Sequence, residues 1–371
     1  MNGSDQKGEG KKKVNEIKTF PVPFALGEIK TNITINTNSP SKPSKEQIIN
    51  QAIQFHLKGN IPEASKCYQY CINQGFNDHR VFSNYGAILQ GLGNLQEAEL
   101  LYRKAIKIKP NLAKAHSHLG NILRDLGKLK EAELSYRKAI ELNPDFAQVY
   151  SNLGGILINL GKSKEAENSY RKAIKLNPKL ANPHSNLGNI LSDLGKLQEA
   201  FDSYLKVIEI NPTLSNIYPS ITRFLQDADP SELNNSKLKY IINLLLERND
   251  VAHKELFKVF NFLYSNKIIS NLELLDSDYT KSELIFNDKI IINALKKIIL
   301  RDLKLEKVLT KTRRKICNRI TYKNEIFNQS ELEFIISLGE QCFLNEYIYS
   351  LTEEEKISIK KIIEKCKNGE A

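Results

Sequence analysis

Pro110, Pro144, Pro178 and Pro212 stand 34 residues apart. The same interval separates Gly86, Gly120, Gly154 and Gly188, and also Gly93, Gly127, Gly161 and Gly195. Ala98, Ala132, Ala166 and Ala200 keep it, as do Tyr102, Tyr136, Tyr170 and Tyr204. Five columns in phase over four copies define repeats 79–112, 113–146, 147–180 and 181–214. A unit this short cannot bury its own apolar face, so neighbours must stack to form a shared core. A degenerate copy at 45–78 keeps Ala52, Ala64 and Tyr68, carries Cys71 where the others have the second alanine or Val207, and lacks the proline.

Each column has a physical reason. The first glycine and the alanine leave room where two helices of one repeat cross closely. The second glycine ends the first helix in the left-handed conformation that side chains disfavour. The tyrosine and the later alanine (Ala105, Ala139, Ala173) are expected to pack against the next repeat. Proline stops the second helix and begins the turn onward. Glu99, Glu133 and Glu167 each precede an arginine by four residues, the favourable order for an exposed helical ion pair. They read as a solvated outer face. The period and these residue types together resemble the tetratricopeptide repeat (TPR), which implies an all-α helix-turn-helix solenoid.

At Ser215 the pattern fails. Residues 215–371 still read as helices, with candidates at 236–248, 251–265, 288–301, 303–320, 330–348 and 352–367. The expected organisation is a disordered tail over 1–44, the array over 45–214 and a smaller helical C-terminal unit over 215–371. Terminal repeats need a covering element. Ile217, Ile221, Phe224 and Leu225 fall on one helical face and supply a candidate, with Pro219 tolerated in its first turn.

The net charge of +11 divides into +3 over 1–44, +6 over 45–214 and +2 over 215–371, so no block concentrates it. A clustered basic face is the usual footprint of nucleic-acid binding, and specific nucleic-acid binding is not expected. Five scattered cysteines, an odd number, argue against a disulfide framework. Cys67 and Cys71 lie one helical turn apart with no third ligand nearby, and read as small buried apolar residues, so no metal is expected. No apolar run approaches a membrane span, and no secretory leader follows Lys11–Lys13; a cytoplasmic location without membrane attachment is the expectation. Within the tail, Thr19-Phe20-Pro21-Val22-Pro23-Phe24-Ala25-Leu26 is a Pro-stiffened apolar strip. It suits either docking in a partner's groove or folding back on its own domain.

In a TPR the first helix lines the inside of the solenoid, so its inward residues decide what binds. Asn84, Asn152 and Asn186 share one column, His118 fills it in the second full copy, and Asn121 and Asn189 stand three residues further on. A carboxamide offers donor and acceptor together, and a ladder of them can hold the backbone of an extended peptide. Asparagine is a poor helix former, so its recurrence in mid-helix calls for a reason; the alternative is that these residues cap turns or meet only water. Ser151-Asn152-Leu153-Gly154 and Ser185-Asn186-Leu187-Gly188-Asn189 resemble the superhelical TPR region of O-GlcNAc transferases. That resemblance implies that Asn84, Asn152 and Asn186 hold peptide backbone, while His118 departs from it and would make the ladder pH-sensitive. Arg80, Lys114 and Arg124 add positive charge on the inner helices, though not in the two-Lys, two-Asn arrangement of carboxylate-clamp TPRs. His116 and His184 share a packing position with Phe82 and Tyr150, with no partner set for catalysis.

The C-terminal stretches Asp302-Leu303-Lys304-Leu305-Glu306-Lys307-Val308-Leu309-Thr310 and Glu340-Gln341-Cys342-Phe343-Leu344-Asn345-Glu346-Tyr347 look like a helical region of bacterial TPR proteins. There it lies between the repeats and a class I S-adenosylmethionine methyltransferase domain. The strand, Gly-rich turn and acid that would hold that cofactor have no counterpart here. No cofactor and no catalytic residue are expected. Three readings follow: an adaptor that binds an extended polypeptide partner, the substrate-recruiting half of a system whose transferase is a separate chain, or an enzyme in its own right. The first is preferred, because no catalytic constellation is visible.

Overall fold

The computed structural model describes residues 43–274, 279–322 and 328–344, together with positions 353, 356, 357 and 360. The Phe-Pro strip and most of the expected helix 352–367 lie outside the described residues. Among the described residues every regular element is helical. Contacts divide the chain into two units, Met1–Pro178 and Lys179–Ala371.

In the first unit, helices pair in sequence: α1 (Lys45–Leu57) with α2 (Ile61–Asn73), α3 (His79–Gly91) with α4 (Leu95–Ile108), α5 (Ala113–Asp125) with α6 (Leu129–Leu142), and α7 (Ala147–Asn159) with α8 (Ser163–Leu176). The first helices also touch one another, α1 to α3, α3 to α5 and α5 to α7, so they share one face of the stack. The turn between paired helices needs a left-handed residue. At Gly127 φ is +75°, and the Gly127 and Lys128 N–H groups donate back to Arg124 and Leu123, closing α5. Second helices stop where a proline follows. Lys109 and Asn143 are extended, at φ −135° and −145°, ahead of Pro110 and Pro144, as pre-proline sterics require. The degenerate copy folds as a full pair: Ala52, Ala64, Tyr68 and Cys71 are buried, and Gly75 at φ +71° replaces the missing proline stop.

The glycine and tyrosine columns explain each other. A Cβ on Gly120 would stand 2.6 Å from the Tyr136 ring, and one on Gly154 2.7 Å from Tyr170. Each tyrosine therefore lies on the glycine of its own repeat, a contact that adds to the expected packing on the next. Onward, Tyr102 stacks on His118 at 5.4 Å between centroids, and Tyr68 lies 6.3 Å from Tyr85.

The Glu–Arg pairs also depart from expectation. The Glu99 side chain is only 12% exposed, and it binds Arg103 at 2.9 Å and Lys128 of the next repeat at 2.8 Å, while Arg103 reaches on to Glu131 at 2.6 Å. Glu133 repeats the pattern with Arg137 and Lys162, both at 2.9 Å. The glutamates sit in the seam between second helices, where long cations from both sides fold over them; they join repeats rather than decorate a free surface.

In the second unit α9 (Ala181–Asp193) pairs with α10 (Leu197–Ile210), and α11 (Ile217–Asp227) covers α10. Ile217, Ile221, Phe224 and Leu225 are all buried, and the Phe224 ring meets Phe201 at 6.0 Å and Tyr204 at 5.4 Å. Among the described residues, the α-helices that follow are α12 (Asn235–Glu247), α13 (Phe257–Leu272), α14 (Tyr279–Phe286), α15 (Lys289–Lys297), α16 (Leu303–Tyr322) and α17 (Gln329–Leu344). α13 is the hub, touching α11, α12, α14 and α16. The helix expected over 251–265 instead opens with a 3₁₀ turn, His253–Leu256, and runs on to Leu272. The one expected over 288–301 stops at Lys297, and α14 was not foreseen because it is short and weakly amphipathic.

Candidate protein-binding face

The shared face of α3, α5 and α7 carries the asparagine column, and two side chains on it, Asn121 and Asn152, are bonded to one another. Asn121 Oδ1 accepts from the Tyr136 hydroxyl at 2.8 Å and from Asn152 Nδ2 at 2.9 Å. Asn152 Oδ1 in turn accepts from Gln148 Nε2 at 3.0 Å. A buried phenol thus anchors one carboxamide, which orients the next. Both asparagines remain half-buried at the surface.

Asn84 is buried instead. Its carboxamide faces the Tyr68 hydroxyl, whose pKa burial drives far up, yet among the described residues neither Asn84 Oδ1 nor Tyr68 OH has a well-formed hydrogen bond. The degenerate repeat adds a residue that the sequence reading passed over: Asn50 lies 34 residues before Asn84 and is half-buried on α1. The interval alone was enough to find it.

His118 lies against Tyr102, and burial followed by repulsion from Lys114 pushes its pKa down to about 4. It is neutral near pH 7, so the expected pH sensitivity moves into the acid range; burial, not a carboxylate neighbour, sets it. In the second unit, Tyr204 OH donates to Asn189 Oδ1 at 2.8 Å, repeating the Tyr136–Asn121 bond. Asn186 is half-buried and Asn189 exposed.

The three basic residues differ. Arg80 is held by Glu46, with bonds of 2.8 and 2.7 Å, and by Asp78 at 2.9 Å, so its charge is already answered within the fold. Arg124 is exposed and pairs with Asp125 at 2.8 Å. Lys114 is half-buried beside His118. His116 is half-buried and His184 buried, consistent with packing positions. Cys71 is buried and Cys67 half-buried, and burial pushes both thiols up, Cys71 to about 11. Cys342 has no described side chain. Among the described residues no cluster of three His, Cys, Asp or Glu could hold a metal ion, and no helix is long and apolar enough to cross a membrane.

Models of the tetratricopeptide repeat match residues 79–112, 120–161, 154–195 and 181–214. No curated protein matches the chain. Among solved structures, MamA from Desulfovibrio magneticus is similar at 22% identity and TM-score 0.43, over 47% of this chain and 99% of that one. PilF of Pseudomonas aeruginosa is similar at 16% identity and TM-score 0.45, over 56% and 94%. YrrB, described as a TPR protein with an unusual peptide-binding site, is similar at 21% identity and TM-score 0.42, over 50% and 96%.

Proposed function

We propose that this tetratricopeptide-repeat protein, an all-α interaction scaffold, binds an extended polypeptide along the shared face of its first helices. TPR arrays act by presenting such faces to protein or peptide partners. The observation that carries the reading is the bonded set Tyr136–Asn121–Asn152–Gln148. It fixes carboxamides in one orientation at the surface before any ligand arrives, which lowers the entropy cost of binding. With both bonds on its Oδ1, the Nδ2 group of Asn121 keeps its protons for a peptide carbonyl. The likeness of Ser151–Gly154 and Ser185–Asn189 to O-GlcNAc transferase repeats, where this asparagine holds backbone, supports the same role.

Backbone recognition gives affinity without reading side chains, so the expected partner is unstructured rather than of one sequence. Peptides captured by the intact chain from a random-sequence library should bind the N152A variant at least tenfold more weakly, with helical circular dichroism unchanged. Equal affinity in that variant would sink the reading.

A further inference from the structure

A second surface feature, away from the asparagine column, lies between the second helices α4 and α6. A cleft of about 410 Å³ is bounded there by Arg103, Ile106, Lys107, Leu119, Leu134 and Lys138, with His116 at its wall. Its origin is one substitution within the repeat. The column of His116 holds Phe82 one repeat earlier and Tyr150 one repeat later. Phe82 is buried, with Lys104 Nζ 5.8 Å above its ring, so the junction before is filled. His116 is smaller and turns its Nε2 to the Pro110 carbonyl at 2.9 Å, leaving the space open.

What lines that space is also particular to it. Leu134 is 68% exposed, the most exposed large apolar side chain described. Its counterpart one repeat on is Asn168, and the counterpart of Lys107 is Glu141. The lining holds three cations and no acid. Arg103 is engaged by Glu99 and Glu131, and Lys138 by Glu141. Lys107 has no ion-pair partner among the described residues. Apolar side chains beside one unanswered cation, Lys107, suit an occupant that is apolar and acidic together. We infer that this cleft takes a partner segment presenting a bulky apolar side chain next to carboxylates.

The test uses as parent the full-length N152A chain, in which the asparagine face is weakened, and a fluorescein-labelled peptide, Asp-Glu-Phe-Leu-Glu-Asp, with a control in which Ser replaces Phe and Leu. The acidic apolar peptide should bind saturably at micromolar to sub-millimolar concentration, and the control at least tenfold more weakly. H116Y, which restores the neighbouring repeat's filler, should lower affinity at least tenfold, as should L134E. Because binding here is read without the asparagine face, a failed N152A experiment there leaves this result standing. Equal binding by H116Y with intact helicity, equal binding by the control, or no saturable binding by the parent each overturns the proposal. Self-association of the parent that H116Y abolishes would give the cleft to a second copy and overturn it as well.

Discussion

Asn152 Nδ2 donates to Asn121 Oδ1 at 2.9 Å, so a side chain of α7 closes a bond that begins in α5. Because the same oxygen accepts from the enclosed Tyr136 hydroxyl, one carboxamide ties the core of a repeat to the surface of the next. Removing it with N121A leaves a buried phenol unpaired. The expected cost is about 1–3 kcal/mol, read as a lower urea midpoint at constant slope. A change within error would mean that water replaces the carboxamide without loss.

The complementary change should stabilise. Tyr102 OH is buried without a hydrogen-bond partner among the described residues, and Ala87 stands 15 residues before it, as Asn121 stands before Tyr136 and Asn189 before Tyr204. A87N supplies the missing acceptor, a gain of about 1 kcal/mol that outweighs a helix-propensity loss of roughly half that. Thermal unfolding should move upward; a downward move refutes the pairing rule.

Glycine-to-alanine changes in one column should differ in cost. At Gly120 the added Cβ meets the Tyr136 ring at 2.6 Å, whereas at Gly86 it meets Tyr102 at 3.0 Å. Alanine gains up to about 1 kcal/mol of helix propensity at either place. Overpacking of about 1–3 kcal/mol should outweigh that in G120A and nearly cancel it in G86A. Equal midpoints for the two variants would show that the tyrosine yields freely.

His118 gives a pH dependence of definite sign. Its pKa is about 4 folded, against an ordinary value near 6.5. The unfolded chain therefore takes up the proton first, and stability falls as pH drops from about 6.5 toward 4, by at most roughly 3 kcal/mol. The paired carboxylates Glu99 and Glu133, held below their ordinary value by Lys128 with Arg103 and by Lys162 with Arg137 against an opposing effect of burial, begin to lose stabilisation only lower in the acid range. H118N should flatten the upper part of the curve, measured by urea unfolding at a series of pH values. Parallel curves for parent and variant would exclude His118 as the source.

The covering helix makes the last prediction. Phe224 joins Phe201 and Tyr204 beneath α11. F224A should cost about 3–5 kcal/mol in the second unit and expose apolar dye-binding surface, since an uncovered terminal repeat presents its core. An unchanged midpoint and no added dye binding would remove α11 from that role.

The sequence alone determined the repeat, because its causes are local. A proline stops a helix, a left-handed glycine turns the chain, and an apolar face repeats every three or four residues, each within one or two turns of backbone. The face of α11 with Ile217, Ile221, Phe224 and Leu225 was legible for the same reason. What only the tertiary structure decided depends on reach between elements. Tyr136 finds Asn121 15 residues away, and Arg103 finds Glu131 28 residues away. The spacing of either pair became informative only once the packing had shown which side chains meet. The column of asparagines was visible as a pattern, but whether each amide is bonded within the fold or turned outward was fixed by the neighbour packed against it. The helices after α12 were least legible, since their ends are set by mutual burial around α13 and not by repeated stop signals.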